Sequence, residues 1–118
     1  MKYLLLAMVV ACGGNPTGSA CPTTDPPTFQ TFGDAFFAEY CRECHSANST
    51  NRHGAPKDQN YDTEDDIRKH AADIDVEAAS GPDATNDAMP QLAGSVTTRP
   101  SKEERALLGE YLACEQGN

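Results

Sequence analysis

Apolar residues recur at helical spacing in three stretches of the chain, and long polar segments separate them. Phe32, Phe36 and Tyr40 stand four apart with Phe37 beside them, which predicts an aromatic helix face that begins near Phe29 and runs into Cys41. Ile67, Ala71, Ile74 and Ala78 follow at spacings of 4, 3 and 4, predicting a helix from Thr63 to Ala79. Asp62 or Thr63 can cap it, and Ser80-Gly81-Pro82 ends it. A last helix carries Leu107, Leu108, Tyr111 and Leu112. Its start reads as Pro100, then Ser101 as N-cap with Glu104 in a capping box, and Gly117 is a stop. Between these helices lie a polar loop from Ser46 to Asn60 and a second that contains Ala88-Met89-Pro90-Gln91-Leu92. Gly13 to Thr28 has no apolar period and reads as a flexible tether. The expected fold is all-α, with three main helices, long polar loops and no internal repeat.

Composition adds a problem of stability. In 118 residues there is room for one domain, yet only 38% are hydrophobic and none is tryptophan. A large buried cofactor would supply the missing core. The balance of 18 acidic against 9 basic residues excludes a nucleic-acid role.

The N-terminus points outside the cytoplasm. Lys2 precedes a short apolar run, Leu4 to Val10, far below the ~20 residues that span a bilayer. It reads as an export signal. Val9-Val10-Ala11-Cys12 resembles a bacterial lipoprotein box, cut before a cysteine that is then lipidated, with Gly13-Gly14 behind it. The organisation expected is therefore a signal over residues 1–11, a lipidated Cys12 with a tether through residue 28, and a domain over 29–118. Five cysteines agree with an oxidising compartment. The location expected is the bacterial cell envelope, facing the periplasm, with Gly13 pointing to outer-membrane sorting.

The chemistry concentrates in Cys41-Arg42-Glu43-Cys44-His45, the attachment signature of c-type haem. Residues three apart share a helix face, so both thiols can reach the two vinyl groups of one porphyrin and form thioethers. The adjacent histidine then lies under the iron as its proximal ligand. A half zinc site competes, but it needs two more Cys or His ligands, and only His53 is near. A thiol–disulfide exchange pair would want a βαβ setting, and no β pattern flanks the motif.

From Phe29 to Cys114 the chain resembles the small class I, mono-haem cytochromes c. Gly33, Phe37 and Cys41 reproduce the spacing of that family's first helix, and Leu108 with Tyr111 fits the last helix, which crosses the first at its glycine. Gly54-Ala55-Pro56 resembles the segment whose proline carbonyl accepts a hydrogen bond from the proximal histidine. Met89-Pro90 matches the methionine that supplies the sixth iron ligand. The resemblance implies one covalent haem c held by Cys41, Cys44, His45, Pro56 and Met89, with His45 and Met89 on the iron. His53 and His70 are the rival ligands to Met89. It implies an electron carrier rather than an enzyme, serving redox partner proteins. With Met89 off the iron, the same site would suit a gas sensor or a peroxidase-like protein. The implied crossing of first and last helices also brings Cys21 near Cys114, for which a disulfide is expected. The alternatives are two unrelated thiols, or Cys21 paired with an unlipidated Cys12.

Overall fold

The computed structural model describes residues 15–117. Four α-helices account for most of the regular structure, and among the described residues there is no β-strand, only the isolated bridges Ser80–Thr85 and Ala93–Val96. The all-α expectation holds. No helix among the described residues is long and apolar enough to cross a membrane.

The first helical segment opens with a π-helical turn, Phe29–Gly33, that continues into α1, Asp34–Tyr40. Thr28 starts it: its hydroxyl accepts from the Thr31 amide at 3.0 Å, and the Thr31 side chain answers back to Thr28. The second helix of the sequence reading is broken in two, α2 (Glu64–Lys69) and α3 (Ala71–Ala78). The break is at His70, whose amide reaches both Asp66 O at 3.3 Å and Ile67 O at 3.1 Å in a tightened turn. The spacing of Ile67, Ala71, Ile74 and Ala78 survives because all four still face one core. Helix α4, Lys102–Glu115, begins at the Ser101–Glu104 capping box.

The aromatic face of α1, the Ile and Ala face of α2 and α3, and Leu108, Tyr111 and Leu112 of α4 share one hydrophobic core. The crossing of α4 over the first helical segment is tight. A Cβ on Gly33 would stand 2.8 Å from Cζ of the Tyr111 ring, so only a residue without a side chain permits this approach.

The segment read as a flexible tether differs from that expectation. Thr17 is fully buried and Ser19 nearly so. The Thr17 amide and hydroxyl donate to Asp75 of α3, the Asn15 side chain donates to Gly109 O of α4, and Ser19 lies against Ser80 O. Small polar residues here fill space and satisfy hydrogen bonds that a larger apolar residue could not, so the absence of an apolar period concealed a docked strap. Cys21, within the strap, is disulfide-bonded to Cys114 near the end of α4, with Cα atoms 4.6 Å apart. Cys12 and the signal lie outside the described residues.

Candidate functional site

The Cys41–His45 motif follows α1 directly, in a hydrogen-bonded turn rather than in the helix itself. The Cys41 carbonyl accepts from the amides of Cys44, at 3.2 Å, and His45, at 2.8 Å. This turn brings both thiols to one side. Arg42 locks it: Nε donates to Tyr61 O at 2.8 Å, and the guanidinium pairs with Asp34 of α1 at 2.8 Å. Cys41 and Cys44 are free thiols.

Both thiols and His45 line a cleft of about 490 Å³, which lies in the range of small-molecule and cofactor sites. Tyr61, Ile74, Val76 and Ala78 add apolar wall, and Met89 with Pro90 enters from the loop before α4. The Met89 backbone is held at both ends. Its amide donates to Glu77 O at 2.9 Å, and its carbonyl accepts from the buried Arg105 guanidinium at 2.7 Å. Arg105 also binds Ala78 O and Asn86 O, so one α4 side chain ties the methionine loop to the end of α3.

His45 is oriented by a bond and a stack. Nδ1 lies 2.9 Å from Gln59 O, and the ring stacks on Tyr61 at 4.7 Å between centroids. A carbonyl only accepts, so Nδ1 carries the proton and Nε2 keeps its lone pair. Burial lowers the His45 pKa, outweighing the support from Gln59, which favours the neutral ring that a metal requires. The expected acceptor, Pro56 O, is instead engaged by Arg52 at 2.6 Å and the Gln59 amide at 3.1 Å. Pro56 lines the cleft, but the bond that orients His45 goes to Gln59 O.

Desolvation pushes the Cys41 thiol up to about 12, and burial also raises Cys44, ahead of the charge of Glu43. Both are therefore thiols rather than thiolates at neutral pH, a poor starting point for disulfide exchange. Tyr61, on the same wall, is pushed up to about 12 by burial and stays a neutral phenol.

The remaining candidates separate. His53 lines the cleft, its Nε2 3.7 Å from Glu43 Oε1, while His70 is not among the lining residues and sets its ring edge-on to Tyr61 at 5.8 Å. No group of three or more His, Cys, Asp or Glu that could hold a metal ion occurs among the described residues, so the donors of a zinc site do not converge there. What does converge is two thiols, a neutral imidazole and a thioether on one apolar cleft, a donor set that fits a flat apolar iron cofactor. Gln59 and Arg52 were not legible in sequence: a backbone acceptor carries no residue signature, and Arg52 sits in a loop that reads only as polar. No protein-family model, no curated protein and no solved structure matches the chain.

Proposed function

We propose that the protein is a mono-haem c-type cytochrome of the class I kind, a one-electron carrier lipid-anchored in a bacterial cell envelope. The observation that carries this reading is the convergence of Cys41, Cys44, His45 and Met89 on one cleft. Cys41 and Cys44 would hold the haem by thioethers, with His45 Nε2 and the Met89 sulfur as donors to its iron. When bound, haem supplies reversible Fe(III)/Fe(II) electron transfer, and a sulfur ligand favours the reduced state.

The chain's residues provide the rest. Gln59 fixes the His45 tautomer and ring plane and raises its donor strength. Arg105 and Glu77 hold the Met89 backbone, so the thioether is presented by an anchored loop. The buried Ile74, Ala78 and Tyr61 give the cleft an apolar wall. With His45 and Met89 both bound to the iron, no position would remain for substrate, which supports a carrier for redox partner proteins rather than an enzyme.

The test is intact mass of protein matured in a host that makes cytochromes c. A gain of one haem that survives acid-acetone extraction supports the reading, and haem lost to the solvent layer removes it. Lipidation at Cys12 is tested separately: Cys12→Ser releases the protein from membranes, and equal partitioning of both forms counts against the anchor.

A further inference from the structure

The loop from Ser46 to Asn60 has almost no aliphatic side chain, yet it carries the carbonyl that orients His45. What organises it is Arg52. One guanidinium nitrogen donates to Ser46 O at 2.6 Å and to Asn60 Oδ1 at 2.7 Å, at the two ends of the loop. The other donates to Pro56 O at 2.6 Å and to Gln59 O at 3.2 Å. The base of the loop is closed by the Tyr61 amide on His45 O at 2.9 Å. In place of a hydrophobic core the loop has a cation ringed by acceptors, each bond charge-assisted.

Gln59 O is shared: it accepts from Arg52 Nη2 and from His45 Nδ1. We propose that Arg52 is the positioning residue for the proximal histidine, holding the Gln59 carbonyl where His45 Nδ1 can donate to it. This rests on the haem reading above only for its consequence at the iron. The planar fork is what the role requires, because two nitrogens must face two groups of acceptors at once. A lysine ammonium keeps the charge but is one point, and cannot span both groups. Without the fork, Gln59 O is free to swing from the ring, the His45 N–H bond opens, and the imidazole becomes a weaker donor. A weaker donor stabilises Fe(III) less, so the midpoint potential rises.

The experiment compares wild type, Arg52→Lys and Asn60→Ala as full-length protein, and reads two quantities. Exchange of the His45 ring N–H, followed by proton NMR, should be about tenfold faster in Arg52→Lys, the scale of losing one net hydrogen bond. The midpoint potential should move upward, although the cationic charge is kept. Asn60→Ala removes one acceptor of Arg52, and with it the Asn60 Nδ2 bond to Lys57 O, but leaves Arg52 in place, so it should shift both in the same direction by less. It also covers the case in which Arg52→Lys does not fold. Wild-type exchange and potential in a folded Arg52→Lys would overturn the proposal, as would an unchanged ring N–H in Asn60→Ala if the lysine variant does not fold. Absence of covalent haem in wild type would overturn the electron-carrier reading instead. Ring N–H exchange in the same full chain would then decide the positioning claim alone.

Discussion

Thr17 donates twice to Asp75, from its amide to Oδ2 at 2.7 Å and from its hydroxyl to Oδ1 at 2.9 Å, with both residues fully buried. One carboxylate thus fastens the N-terminal strap to α3. Its removal strands a buried amide, so Asp75→Ala should cost about 1–3 kcal/mol, read by urea unfolding. The pH dependence has a definite sign. Burial outweighs the two bonds and raises the Asp75 pKa, so the folded state holds this proton more tightly than the unfolded chain. Relative to Asp75→Asn, wild type should lose stability as pH rises from the unfolded carboxyl value of about 4 through the raised folded one. The difference should be level beyond that window. A wild type that gains on the Asn variant over the same rise would reverse the assignment.

The Cys21–Cys114 bridge closes a loop over a separation of 93 residues. In the chain-entropy model such a cross-link stabilises by about 4.6 kcal/mol, less where a cofactor already restricts the unfolded chain. The double variant Cys21→Ser, Cys114→Ser should therefore unfold at clearly lower urea concentration. Non-reducing peptide mapping of exported wild type should show the strap peptide joined to the C-terminal peptide. Free thiol at both positions is the contrary result.

On the proposed haem reading, Met89 should be visible at the iron. Oxidised protein should carry the weak near-infrared band of sulfur-to-iron charge transfer, and Met89→Ala should abolish it and turn low-spin iron high-spin. His70→Ala should leave the spectrum unchanged, since His70 lies outside the cleft lining. A band that survives in Met89→Ala sinks the ligand assignment. High-spin wild type would favour the sensor or peroxidase-like reading.

Gly33→Ala sets two effects against each other. Gly33 has helical dihedrals, φ −59 and ψ −51, so alanine gains helix propensity worth roughly 1 kcal/mol. The new methyl would meet the Tyr111 ring at 2.8 Å, inside contact distance, and overpacking of that kind costs about 1–3 kcal/mol. The clash should win, giving a lower thermal midpoint. Combining it with Tyr111→Leu should recover part of the loss, and no recovery would place the strain elsewhere.

The two thiols and His45 were legible from their fixed spacing, and the helix faces and caps from periodicity and cap residues, whereas Met89 was reached only through the family resemblance. Three features were not legible, each for a physical reason. The Thr17 strap is buried through hydrogen bonds rather than apolar area, so hydrophobic periodicity is blind to it. The acceptor for His45 is a main-chain carbonyl, and the loop's path rather than its sequence decides that Gln59 and not Pro56 provides it. The break at His70 leaves the apolar spacing on one core face, so the pattern is the same for one helix or two.

The docked strap changes the geometry of any encounter at a membrane. A chain free through Thr28 would let a lipidated Cys12 stand on the order of 50 Å from the domain at full extension. Among the described residues the strap is already fastened at Asn15, three residues from Cys12, which caps the reach at on the order of 10 Å. On the proposed lipid anchor, the domain would then ride close against the headgroups on a leash of a few residues. So anchored, its search for partners would become lateral diffusion in a plane with restricted tumbling. Collision frequency with proteins in the same membrane would be set by surface density, and a soluble partner would have to approach whichever side the strap leaves uppermost.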